Sequence, residues 1–224
     1  MHELEAKIFY LLGFIPASPG VVLPWVITGV LGLICFFLTR KTSLIPSSHQ
    51  NVLEWIVEEL AKFLESLLGH KHSRELIPFF STIFIYILTS NLLGIIPGLK
   101  SPTSIFSNCL GMALIIFIMT HYLGLKHGGF GYIKHFWGEP VWLGPLMFPI
   151  HIIGELARPI SLTLRLFGNI MGEDVVILVL TIYIFPFLVP IPMLCMAIFT
   201  SVLQTLVFTI LSSIYISGAI GHEH

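Results

Sequence analysis

Between His151 and Glu173 the chain reads HIIGELARPISLTLRLFGNIMGE, in which ionisable and amide side chains interrupt a run apolar enough for a membrane. His151, Glu155, Arg158, Leu162, Arg165, Asn169 and Glu173 follow at steps of three or four, so a helix carries all seven on one face. A charge at bilayer depth costs about 2.5–3.5 kcal/mol or more unless it faces a protein interior or a wet cavity, where such groups mark ion paths. Glu155 and Arg158 alone would be explained as an intrahelical pair that fixes packing. Five ionisable groups and an asparagine on one stripe point instead to ion movement.

On such a helix Arg165 lies about 15 Å along the axis from Glu155 and about 12 Å from Glu173 at 1.5 Å per residue. Arginine cannot relay a proton, because it stays charged at any working pH. It can hold a nearby carboxylate ionised, releasing a proton that arrives on a partner acid and blocking direct passage between the two sides. His151 and the flanking acids suit wet approaches, histidine being the side chain that titrates near neutral pH. The chain offers no mobile carboxylate carrier of its own, which places the carrier on another subunit.

The elements around the stripe are membrane elements. The 224 residues are 55% hydrophobic and 10% charged, with a mean hydropathy of +0.93. Gathered into long runs, that composition belongs to an all-α polytopic membrane protein forming one membrane domain over 1–224. The net charge of −1, from 11 basic and 12 acidic residues, supplies no basic field for nucleic acid. Cys35, Cys109 and Cys195 have neither CxxC nor Cys/His spacing and read as small apolar residues, not disulfides or metal ligands. The start, MHELEAK, lacks the positive region of a cleavable signal and is expected to be retained.

Five crossings are expected. Residues 21–39 form the first span, 76–99 the second and 107–125 the third, followed by a wet glycine-rich loop, KHGGFGYIKHFWGEP. Residues 51–69 alternate apolar positions with glutamates at helical spacing and should lie along the membrane surface, on lipid headgroups. Residues 141–185 are too long for one perpendicular crossing, so this helix is steeply tilted or bends near Gly168 or Gly172 into a hairpin. After Pro186, Pro190 and Pro192, residues 193–217 form the last long helix, with Thr200, Gln204, Ser212 and Ser213. With the N-terminus outside and the C-terminus inside, Arg40, Lys41, Lys62, Lys71, Arg74, Lys126 and Lys134 fall inside, against Lys7 and Lys100 outside.

LARPISLTLRLFGNIMGE, Leu156 to Glu173 with LRLFGN at its centre, resembles the signature of subunit a of the bacterial F-type ATP synthase. The resemblance extends to the surface helix, to NLLGIIPGL at the end of the second span, to the last helix with Gln204 and to the tail His222, Glu223, His224. It implies a stator subunit of the bacterial plasma membrane whose last two helices incline against a rotating ring of c subunits. The b subunits of the peripheral stalk would be further partners and the ATPase head an indirect one. By the same resemblance Arg165 faces the ring carboxylate with Gln204 as its neighbour, and Asn169 with Glu173 lines the external half-channel. His151, Glu155 and Arg158 line or support the internal one, with Ser107, Asn108 and Asp174 as supporting polar residues. No active site, cofactor or metal is implied in the chain itself, and no phosphate-binding GxxxxGK[ST] loop occurs in it.

Two departures stand out. Relatives often place an acid first and a histidine second around the IIG step, whereas this chain has His151 then Glu155. Some carry a histidine seven residues before the glutamine to pair with the external acid; here that position is Ala197, which leaves Glu173 to lean on Asn169 or water. Two other functions compete. A self-contained secondary transporter would use the arginine as an anion site, but the halves show no internal repeat. A haem protein would need facing histidines such as His121 and His151, and a zinc protease a second histidine that HIIGE lacks.

Overall fold

The computed structural model describes residues 9–11, 15–17, 19–40, 48–68, 73–96, 101–137, 144–183 and 190–220. Lys7, Lys41, Lys71, Lys100, Pro186 and the tail His222–His224 lie outside the described residues. The architecture is helical apart from a short antiparallel hairpin, β1 (Phe9–Leu11) with β2 (Ile15–Ala17). Among the described residues six helices follow: α1 (Pro19–Thr39), α2 (Ser48–Leu68), α3 (Ser73–Leu93), α4 (Phe106–Trp137), α5 (Gly144–Tyr183) and α6 (Pro190–Ile220). A 3-10 turn, Pro102–Ser104, joins α3 to α4.

Three helical stretches among the described residues are long and apolar enough to cross a membrane: Glu75–Leu93, Phe106–Gly129 and Pro192–Ile220. Val22–Phe37 on α1 is apolar but shorter. About a third or less of each long stretch is buried inside the molecule, so most of its apolar surface faces outward. On α1 the outward residues include Trp25, Leu33, Phe36 and Phe37, the pattern of a helix solvated by lipid. The fourth expected span, α5, carries the polar stripe and is not among the apolar stretches.

Two apolar clusters tie the helices together. At one end Leu60, Leu64 and Leu68 of α2 pack with Leu76 and Phe80 of α3, Leu123 of α4, and Ile216 and Ile220 of α6. Midway, Ile87, Cys109, Ala113, Ile116, Leu162, Leu166 and Phe208 join α3 to α6. On α2 only the second half of the apolar face is covered. Ile56 and Val57, on the face expected to rest on the membrane, are exposed beside Trp55, while Val52 and Leu53 lie outside the described side chains.

Three expectations need correction. The second span ends at Leu93 instead of Leu99: Gly94, Ile95 and Ile96 tighten into bonds three residues back. Pro97 disfavours helix at the residue before it, and at Gly94 a Cβ would stand 2.8 Å from the Ser101 Cβ, so the returning chain needs glycine there. The glycine-rich stretch after residue 125 is not a loop as far as Trp137. The helix continues and kinks at Gly129, whose φ of 49° and ψ of −132° favour a residue without a Cβ. Residues 138–140 of that stretch are outside the described set. Finally, α5 runs unbroken through Gly168 and Gly172, so the hairpin alternative falls away. Its 40 residues reach about 60 Å at 1.5 Å per residue.

Candidate functional site

The stripe on α5 meets α6 as an antiparallel zipper. The Arg158 guanidinium sits 5.0 Å from the centre of the Tyr215 ring. Asn169 Nδ2 donates to Gln204 Oε1 at 2.9 Å, and the Thr200 hydroxyl donates to Glu173 Oε1. Eleven residues from Arg158 to Asn169 match eleven from Tyr215 back to Gln204, and four more on each helix reach Glu173 and Thr200. The two long helices thus hold one register over about four turns.

Toward the start of α5 lies one polar region. Arg158 Nη1 pairs with Glu155 Oε1 at 2.8 Å. Glu155 Oε2 is buried without a hydrogen-bond partner. Pro159 supplies no N–H to the Glu155 carbonyl four residues back, which weakens the helix ladder at this level. A cavity of about 710 Å³ opens here, lined on α5 by His151, Gly154, Glu155 and Arg158, on α6 by Tyr215 and Gly218, and on α4 by Tyr132. Behind it a space of about 10 Å³, the size of roughly one water, lies between Thr120, Glu155, Arg158 and Tyr215. His151, Glu155 and Arg158, predicted as a group, are brought together at this cavity. Tyr132 reaches it because the kink at Gly129 folds its ring back over Gly124, where a Cβ would meet the ring at 2.5 Å.

Toward the other end lies a second polar region. Gln204 is buried, its Oε1 taken by Asn169 and its Nε2 left without a partner. Asn169 is exposed and Glu173 half-buried, with Asp174 half-buried beside it. Ala197 is buried and offers no polar side chain. Glu173 is bonded to Thr200 and not to Asn169, which gives an amide N–H to Gln204. Ser107 is exposed, and Asn108 Nδ2 donates to the Pro102 carbonyl at 3.1 Å, supporting the junction of the 3-10 turn with α4. The Phe106 ring stands 5.7 Å from that of Phe167, which sets this junction beside α5 two residues past Arg165.

Arg165 lies between the two regions and differs from every other charged residue of the stripe. It is exposed, and among the described residues it makes no hydrogen bond, ion pair or ring contact. Gly154, Ala157, Ser161, Gly168 and Gly172 are exposed at matching three- and four-residue steps on either side. At each of the three glycines a Cβ would meet nothing within 4 Å, so the cation stands in an open strip of small residues.

Some contributors lay beyond the reach of the sequence. Thr200 and Tyr215 sit four residues before and eleven after Gln204, mirroring Glu173 and Arg158 about Asn169, a symmetry visible only once the two helices are paired. Asn91 bonds between helices: Nδ2 donates to the Ser201 carbonyl and the Thr205 hydroxyl at 3.4 Å each. Its Oδ1 accepts from Thr103 at 2.7 Å, and Ser101 of the same loop donates to the Ser90 carbonyl at 2.8 Å. His121 Nδ1 lies 3.0 Å from the Phe117 carbonyl one turn back, with its ring against Phe117 and Tyr132.

A profile of the ATP synthase A chain family matches residues 21–217. The ATP synthase subunit a of Trichlorobacter lovleyi is 41% identical over 225 residues, covering 100% of this chain and 97% of that protein. ATP synthase subunit a 3 of Pelobacter propionicus is 41% identical over 208 residues, covering 93% and 90%. ATP synthase subunit a 1 of Syntrophotalea carbinolica is 42% identical over 200 residues, covering 89% and 85%.

Proposed function

The chain belongs to the ATP synthase A chain family, and from that premise we propose that it is the stationary membrane subunit of a rotary ATP synthase, carrying protons to and from the carboxylates of a c-subunit ring. Two offset half-channels do this. The cavity at His151, Glu155 and Arg158 is the mouth on the cytoplasmic side. Asn169, Glu173, Thr200 and Gln204 form the route from the outside. Lys62 and Lys126 flank the apolar cluster that closes the cytoplasmic end, in keeping with positive charge inside. The subunit makes five crossings of a bacterial plasma membrane with α5 and α6 inclined, its N-terminus outside and its C-terminus in the cytoplasm. Subunits of the peripheral stalk hold it still.

The observation that carries this reading is Arg165, a permanent cation exposed on an apolar helix with no counter-charge among the described residues. Left against hydrocarbon it would be costly; set against a moving carboxylate it is satisfied each time a ring acid passes. The small residues beside it let a neighbouring helix approach closely. Arg165 holds the ring acid ionised as it passes and so separates loading from unloading. The transmembrane field contributes about 2.3 kcal/mol per charge per 100 mV to the turn.

The test is ATP-driven acidification of inverted membrane vesicles carrying Arg165→Ala, with assembly of the complex measured on the same membranes. Assembled complex without pumping is expected. Pumping at the unmutated rate would make Arg165 structural and contradict the assignment.

A further inference from the structure

We infer that Thr200 is a positioning residue for the outer acid, its hydroxyl holding Glu173 in both protonation states. This rests on the reading of Glu173 as a proton-accepting group of the outer half-channel. The Thr200 oxygen has three acceptors within reach: Glu173 Oε1 across the helix interface, and the carbonyls of Met196 at 3.0 Å and Ala197 at 3.2 Å on its own helix. A hydroxyl has one proton to give and lone pairs to receive with, so these bonds are alternatives.

With Glu173 ionised, Thr200 gives its proton to the carboxylate, the stronger bond because it is charge-assisted. When a proton arrives on Glu173, the acid O–H becomes the donor and the Thr200 oxygen accepts it. The hydroxyl proton then rotates to the Met196 or Ala197 carbonyl. Every donor has an acceptor in each state. The only proton that enters or leaves the pair is the one on Glu173, and the Thr200 O–H bond never breaks.

Among the described residues no other neighbour bonds Glu173. Asn169 is engaged with Gln204 and Ala197 has no polar side-chain atom. Asp174, the other charged group close enough to act on Glu173 among the described residues, is itself an acid. A fixed amide donor would suit the ionised acid alone, and a fixed carbonyl the neutral one alone.

The experiment places Thr200→Val, Thr200→Ser and Thr200→Ala in the full complex and measures ATP-driven acidification per assembled complex, with Arg165→Ala alongside. Valine keeps the shape without the hydroxyl; serine keeps the hydroxyl without the shape. Thr200→Ser is expected to pump close to the parent rate. Thr200→Val and Thr200→Ala are expected to fall roughly ten-fold, equivalent to about 1.4 kcal/mol in a barrier. If Thr200→Val does not assemble, serine against alanine decides in the same way. Valine or alanine at the parent rate, or serine as slow as either, overturns the assignment. Arg165→Ala separates the two ideas: its normal pumping sinks the half-channel reading and this inference with it. A silent Arg165→Ala beside a fully active Thr200→Val sinks only the role of Thr200.

Discussion

Arg158 and Arg165 are the same residue type seven positions apart on one helix, yet one is held by Glu155 and Tyr215 and the other by nothing among the described residues. That contrast separates a cation that shapes a cavity from one that awaits a partner. The cation–π contact at Tyr215 is worth about 0.5–2 kcal/mol depending on desolvation. Tyr215→Leu should therefore slow pumping several-fold while Tyr215→Phe, which keeps the ring, stays near the parent rate; equal loss in both would show that the phenol oxygen matters and not the ring face. Glu173→Gln should slow ion flow without stopping it, in contrast to Arg165→Ala, as read by passive proton conduction of the stripped membrane sector. The stripe was legible because one helix repeats every three to four residues. Thr200 and Tyr215 were not, because periodicity within a helix says nothing about the register between two.

At the scale of elements, α1, α2, α5 and α6 were legible to within a few residues from hydropathy, charge and proline. What misled was glycine. Lys126 to Trp137 holds three glycines among charged and histidine residues and resembles a wet loop, but tertiary packing keeps it helical on either side of Gly129. Conversely Gly168 and Gly172 bend nothing, since α5 is unbroken there. Gly124 is the glycine with the tightest packing on α4, because the Tyr132 ring lies across it. Gly124→Ala should push that ring toward the cavity at Glu155, cost about 1–3 kcal/mol through overpacking, and lower both the thermal midpoint of complex dissociation and the pumping rate. An unchanged midpoint would mean the ring finds another place at no cost.

For the whole molecule, the apolar cluster that seats α2 at one end and the Asn91–Thr103–Ser101 network toward the other hold the framework against which α5 and α6 keep register. Asn91→Leu leaves the Thr103 hydroxyl with Ser101 alone and removes the bonds to Ser201 and Thr205 that hold α6 beside Gln204; a loss of about 1–3 kcal/mol is expected in heat stability of the detergent-solubilised complex, and none would make the network ornamental. The central claim is that two polar paths reach Arg165 from opposite faces of the membrane. It is tested most directly by two-sided access of a membrane-impermeant thiol reagent, in a complex whose Cys35, Cys109 and Cys195 have been replaced, to Gly218→Cys at the cavity and to Asn169→Cys beside Gln204. Gly218→Cys is expected to react only from the cytoplasmic side and Asn169→Cys only from the outside; labelling of both from the same side would rule out two separate paths.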